Sequence, residues 1–311
     1  MLPDKSMTDR NKKIVGEFVN ELTNKHNSGA WEMYCAEHFT HYFNIPNVPN
    51  NLVGAKHLSE QVLRAFPDVS TKINLLIAEN DWVVEKATAT ATHLGDFMGI
   101  SPTQKKVQWE ETHCYRLENG KIVEHYPNIR LGKIIFDLLG QKEKIYKPMP
   151  SFLSSFIAKA IGGMYFVMPS IKLNQSDKVE RNREVIRAYV ERFKNQQEFL
   201  TFPQLYQPNK FTHHFNFEGQ HNRLSSFVSV GQEFLSAFPD VKVKIINLIA
   251  DGDYVVELNT VMATHKGTYF NIPATNRTVT WSETHIYRLE NERIVENIPS
   301  VNFEQIIEQI S

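Results

Sequence analysis

The chain is one domain written twice, and that duplication constrains its fold more than any other feature. Ala65-Phe66-Pro67-Asp68-Val69 returns as Ala237-Phe238-Pro239-Asp240-Val241, and Leu76-Ile77-Ala78 returns as Leu248-Ile249-Ala250. Tyr115-Arg116-Leu117-Glu118-Asn119 returns as Tyr287-Arg288-Leu289-Glu290-Asn291. The offset is 172 throughout, so this stretch matches without a gap. A unit of this length can bury its own core, so the repeat is a whole domain and not a solenoid unit. Copy one is expected over residues 1–142 and copy two over 179–311, joined by an apolar connector or lid at 143–178.

Composition narrows the function classes. A net charge of −1 and a pI near 6.9 give no basic field to hold nucleic acid or an anionic membrane. Two cysteines, Cys35 in a helical region and Cys114 in a strand, are too few for a disulfide framework or a Cys-rich zinc site. The first residues lack the apolar core of a signal peptide. These features predict a cytoplasmic protein. Residues 151–171 are apolar enough to raise the membrane question, but Lys159, Gly162-Gly163 and Pro169 interrupt them. An interdomain helix or pocket lid is expected there, and no membrane span.

Each copy opens with an amphipathic helix, marked by Ile14, Val15, Phe18, Val19 and Leu22, then by Val185, Ile186, Tyr189, Val190 and Phe193. The second helix is offset by one residue from the main register, which places a single indel after it. A short helix and a loop follow, and then a third helix at 56–66 and 228–238, ended by the Phe-Pro-Asp turn. Beyond that turn the pattern is strand-like. Val69–Ile77 and Trp82–Thr92 join through Asn80-Asp81, and Val107–Leu117 joins Lys121–Tyr126 through Asn119-Gly120. Short closing helices carry Ile134, Ile135 and Leu138, and Ile306, Ile307 and Ile310. Helices first and an antiparallel sheet afterwards predict an α+β fold.

The two copies also show which positions resisted drift. Between Ala65 and Ile129 about half the positions match. Alternation puts Val107, Trp109, Glu111, His113 and Tyr115 on one strand face, and all five are unchanged at Val279, Trp281, Glu283, His285 and Tyr287. The opposite face has largely changed. The fixed face is aromatic, so it should point inward, yet it carries a carboxylate and an imidazole two residues apart. Buried polar groups are costly unless paired or wet. Glu111, His113, Glu283 and His285 therefore read either as general acid/base groups in an aromatic pocket or as structural Glu–His pairs.

Other histidines rank behind these. His41 and His213 could reach a pocket mouth or serve as core residues. His93 and His265, in Ala-Thr-His-x-Gly, should order a turn. His125 becomes Asn297 in copy two, so chemistry that needs it belongs to copy one. Trp109, Tyr115, Trp281 and Tyr287 would line the pocket walls. No metal-ligand spacing, Gly-rich phosphate loop or nucleophile elbow is present, so no metal and no cofactor are expected.

Ala-Phe-Pro-Asp, Leu-Ile-Ala-x-x-Asp, Thr-His-x-Gly-x-Phe/Tyr and Tyr-Arg-Leu-Glu-Asn-x-(Lys/Arg)-Ile-Val-Glu together resemble the SnoaL-like polyketide cyclase (ester cyclase) family. The resemblance covers both copies almost end to end. It implies the cone-shaped fold of the nuclear transport factor two superfamily, with a curved antiparallel sheet wrapping helices around an apolar pocket. Members usually pair, so a tandem chain resembles a covalent pseudo-dimer, and further homo-oligomerisation stays open. The resemblance marks His113 and His285 as pocket histidines. It also places a catalytic Asp where this chain has Pro127 and Pro299. The implied partner is a small hydrophobic molecule: a carbonyl substrate for cyclisation, isomerisation or dehydration, or a ligand held without turnover.

Overall fold

A computed structural model describes residues 5–43, 48–129, 131–140, 177–197, 205–207, 209–214, 224–301 and 303–311. The expected connector at 143–178, with its apolar stretch 151–171, lies almost wholly outside the described residues. The chain divides into two compact units, Met1–Glu143 and Lys144–Ser311.

In the first unit, α1 (Lys5–Val19) runs into a π-helical turn (Asn20–Asn24), followed by α2 (Ala30–Tyr34). Then come β1 (Cys35–His41) and α3 (Leu52–Ala65). Four long strands follow: β2 (Ser70–Glu79), β3 (Trp82–Thr92), β4 (Lys106–Glu118) and β5 (Lys121–Ile129). Helix α4 (Leu131–Leu139) closes the unit. The second unit repeats the plan with α5 (Lys178–Ala188), its π-helical turn (Tyr189–Asn195), β6 (Thr212–His213) and α6 (Leu224–Ala237). Strands β7 (Lys242–Asp251), β8 (Tyr254–Thr264), β9 (Thr278–Glu290) and β10 (Arg293–Val301) and helix α7 (Phe303–Ile310) complete it.

The sheets have the same order, β1-β5-β4-β3-β2 and β6-β10-β9-β8-β7. Four strands of each are antiparallel, as expected. The fifth is not: β1 pairs with β5, and β6 with β10, in parallel. The sheets are therefore mixed, which corrects the all-antiparallel expectation. Cys35 opens β1 and is not helical, and His41 ends that strand. The stretch escapes notice because Cys35–His41 shows no clean alternation and β6 is only two residues long. Extra residues between Ile73 and Leu75 and between Arg116 and Leu117's partners add bulges, which bend and twist the strands.

The hairpins form where the turn residues demand. Asn119 and Gly120 both take positive φ (50° and 79°) between the paired Glu118 and Lys121, the geometry of a two-residue type I′ turn. Asn11 of α1 and Asn182 of α5 donate to Asn80 O and Gly252 O, which holds each β-turn against its helix.

The repeated motifs prove to be structural anchors. Thr92 N–H and its hydroxyl donate to the two Asp68 oxygens at 2.7 and 2.6 Å, and Thr264 N–H donates to Asp240 at 2.8 Å. Phe66 and Phe238 are buried and pack on His93 and Trp109, and on His265 and Trp281. Leu94 and Gly95 N–H groups both cap Ala65 O at the end of α3. The backbone approaches so closely there that a Cβ on Gly95 would sit 2.3 Å from Arg64 O, and one on Gly267 2.3 Å from Ser236 O. Only glycine fits. Gly95→Ala is expected to destabilise the first unit by about 1–3 kcal/mol, as overpacking does. Thermal denaturation monitored by circular dichroism checks this, and an unchanged midpoint would contradict it.

Candidate functional site

The predicted inward face is real. Trp109, Glu111, His113 and Tyr115 are all buried on β4, as are Trp281, His285 and Tyr287 on β9. In the first unit the apolar core falls into two clusters. One gathers Phe18, Trp31, Phe39, Tyr115 and Ile122, and the other Phe66, Phe97, Trp109, Ile134 and Leu138. Glu111 and His113 lie in sequence between Trp109 and Tyr115, at the seam between the two.

Along that seam runs a chain of hydrogen bonds. Trp109 Nε1–H donates to Glu111 Oε2 at 2.9 Å, and His113 Nε2 stands 3.8 Å from the same oxygen. His113 Nδ1 meets His125 Nε2 at 2.8 Å, and His125 Nδ1 meets His41 Nδ1 at 3.1 Å. The strands impose this order. β5 sets His125 beside Tyr115 and Pro127 beside His113, and the parallel β1–β5 pairing sets His41 beside His125. Tyr115 stacks on His125 with ring centroids 4.7 Å apart, which fixes the middle ring.

The charges in this row follow from burial and neighbours. Burial pushes the Glu111 carboxyl up, but the facing His113, the Trp109 indole and Lys86 outweigh it and hold it below its ordinary value. Burial pulls His113 down, but Glu111, joined by Glu85 when that group is ionised, more than restores it, so it lies above its ordinary value. Burial, aided by the charge of His113, lowers His41 to about 4 and takes His125 well below 6.5. The arrangement these shifts favour has cationic His113 facing Glu111 across 3.8 Å and donating from Nδ1 to neutral His125, which donates from Nδ1 to neutral His41.

Sequence reasoning missed Glu85. It faces inward from β3 at 1% exposure, directly opposite His113, and accepts the Tyr115 hydroxyl at 2.8 Å. The signal was available, since the inward-facing Glu85 recurs as Glu257.

Copy two keeps the frame but changes the wiring. Trp281 donates to Glu283 Oε1 at 2.7 Å and His285 Nε2 holds Oε2 at 2.9 Å, so both oxygens are engaged. His285 Nδ1 reaches Asn297 Oδ1 at 3.4 Å, where copy one has an imidazole. His213 is buried and stacks on Phe211, but with Asn297 beside it no histidine chain forms. Lys194, a second residue the sequence did not single out, reaches in from the π-helical turn and binds both oxygens of Glu257 at 2.9 Å. Glu283, pushed up by burial, is drawn down to about 2 by His285, Lys194 and Trp281. The apolar core around this row forms a single cluster.

The remaining histidines behave as expected of turn residues. His93 and His265 Nδ1 accept from the N–H groups of Thr103 and Thr275. Cys35 and Cys114 are both buried, and no disulfide joins them. Among the described residues no group of three or more His, Cys, Asp or Glu is arranged to hold a metal ion, and no helix is long and apolar enough to cross a membrane.

The profile of the SnoaL-like polyketide cyclase family matches residues 13–129 and again 183–310. The chain belongs to that family and carries its domain twice. AclR from Streptomyces galilaeus is 28% identical, over 43% of this chain and 99% of its own, with a TM-score of 0.39. A protein from Acidithiobacillus ferrooxidans described as a polyketide cyclase is 25% identical, over 43% and 96%, with a TM-score of 0.39. A SnoaL-like polyketide cyclase from Agrobacterium tumefaciens is 16% identical, over 41% and 97%, with a TM-score of 0.35. No individually curated protein matches the chain.

The charge states predict how stability depends on pH. Burial pushes Glu85 up to about 7 against an ordinary 4.5, so the folded chain binds the extra proton between these values. Stability from this group falls as pH rises through that window, by up to about 3 kcal/mol. His41, lowered to about 4, acts in the opposite sense, costing stability as pH falls from 6.5 to 4. Between pH 4.5 and 7, Glu85→Gln should therefore lose the falling contribution, and its melting temperature should gain on the parent's as pH rises. Parallel melting curves would contradict the assignment.

Proposed function

We propose that copy one holds an acid/base pocket for a small, largely apolar carbonyl compound, and that copy two does not turn ligand over. The observation that carries this reading is the state of the repeated carboxylate. Among the described residues both contacts of Glu111 fall on Oε2, which leaves Oε1 for a ligand. Both oxygens of Glu283 are engaged by Trp281 and His285.

A carboxylate among aromatic rings is a competent base for a proton α to a carbonyl. His113, cationic beside it, supplies the positive charge that stabilises a developing enolate. His125 and His41 extend His113 into a relay along which a proton can shift by exchange of tautomers. Asn297 cannot take part in such a relay, because an amide does not exchange its protons this way. Cyclisation, isomerisation and dehydration all begin with this enolate step. Pro127, at the position where the family resemblance calls for an acid/base Asp, carries no proton, which puts the load on Glu111 and the histidine chain.

A second reading, a non-catalytic hydrophobic-ligand or scaffold protein, fits copy two, whose ion pairs satisfy one another. The two readings separate in a deuterium-exchange experiment. Small apolar ketones are incubated with the full chain in D2O, and α-proton loss is followed by NMR. Exchange should exceed the buffer rate. Glu111→Gln should lower it by about 10²–10⁴-fold, and Glu283→Gln should leave it near the parent rate. Exchange equal to buffer, or unaffected by Glu111→Gln, would refute the catalytic reading.

His125→Asn, which copies the second unit, should reduce the exchange rate and shift its pH profile while leaving the fold intact. An unchanged rate and profile would remove the relay from the mechanism.

A further inference from the structure

Glu85 is the buried group that the acid/base reading leaves without a task. Its Oε2 accepts from Tyr115, while Oε1 is buried and finds no hydrogen-bond partner among the described residues. An ionised carboxylate would leave that charged oxygen without a donor in an apolar core, a costly arrangement. The neutral acid removes the buried charge and with it the larger part of that cost.

Copy two answers the same problem differently. Glu257 receives Lys194 Nζ on both oxygens at 2.9 Å, Tyr287 Oη at 2.7 Å and Asn259 Nδ2 at 2.6 Å. The anion there is fully surrounded by donors. The constant sequence offset and a matching pair of hydrogen bonds name the equivalents. Asn24 and Asn195 play the same part, accepting from Thr71 N and Val243 N at 2.8 and 2.7 Å. The residue before each is Thr23 in copy one and Lys194 in copy two. Thr23 turns its hydroxyl back to Val19 O at 2.8 Å, and Ala87 stands where copy two has Asn259. Neither offers Glu85 a donor.

We propose that Glu85 is kept as the neutral acid and serves as the reserve proton of copy one, while in copy two the Lys194 ammonium occupies the place of that proton. Among the described residues few titratable groups face Glu85, and α1, which packs on β3, brings apolar Val15 and Phe18 to the cluster that holds Tyr115. β4 brings Glu111, His113 and Tyr115; β5 and β1 contribute His125 and His41 behind them; β2 sets apolar Leu76 opposite. Burial raises Glu85, the charge of Glu111 adds to this, and His113 with the Tyr115 hydroxyl pull the other way, leaving it at about 7. A proton passed from the Glu111–His113 pair to a carbonyl ligand is then replaced from Glu85. Glu85 becomes the carboxylate until a proton arrives from solvent.

This deepens the acid/base reading and rests on it for the use made of the proton. Its test needs no ligand, so the two can fail separately. Infrared spectra of the full chain report the carbonyl stretch of a protonated carboxyl, which shifts in D2O. At about pH 6, above the range of ordinary carboxyls, the band should be present, and it should be lost well above pH about 7. It should vanish in Glu85→Gln and persist in Glu257→Gln. Thr23→Lys, which leaves Glu85 in place and installs the cation of copy two, should also abolish it. Lys194→Met should add a second such band. If Glu85→Gln does not fold, the Thr23→Lys and Lys194→Met pair decides the matter. A parent chain with no band at about pH 6, or a band that survives both Glu85→Gln and Thr23→Lys, would overturn the proposal.

Discussion

Everything in each unit is arranged around a carboxylate set among aromatic rings. Such a group has to find donors, because the core itself supplies none. In both copies the tryptophan two residues earlier on the same strand supplies an indole N–H, at 2.9 and 2.7 Å, and the histidine two residues later supplies an imidazole. This explains why Trp, Glu and His held their places while the opposite strand face changed. Losing any one of the three leaves another buried polar group without its partner.

From that shared frame the copies part at three positions. Asn297 replaces His125, Lys194 replaces Thr23 and Asn259 replaces Ala87. Each change in copy two adds a fixed donor or removes a proton carrier. The result is a closed network within a continuous apolar core, whereas copy one keeps a run of titratable rings between two apolar clusters. In copy two the changed residues close the network with fixed donors, while copy one keeps three histidine rings in contact.

Much of this was legible in the sequence because a constant offset turns one chain into two readings of the same fold. The inward face of β4, the Asn-Gly hairpin and the closing helices all followed from period and turn chemistry. The parallel edge strand did not, since Cys35–His41 shows no alternation and gains its identity only from pairing with β5. Glu85 was passed over because a single glutamate in a strand gives no sign of its partner, although its recurrence as Glu257 was available. Lys194 was invisible for another reason. On a helix dense in charge, one lysine that turns inward looks like its solvated neighbours. The Asp of Phe-Pro-Asp reads as turn chemistry, and only the structure gives it the second task of holding the end of β3 or β8.

His113 is held cationic at one end of a chain whose other two rings stay neutral. Nitrogen-15 NMR of the histidine side chains, followed through the range around 6.5, measures this directly. Doubly protonated His113 should persist above 6.5, with His125 remaining neutral well below it and His41 down to about 4. Three rings titrating together near 6.5, with no coupling between His113 and His125, would contradict it.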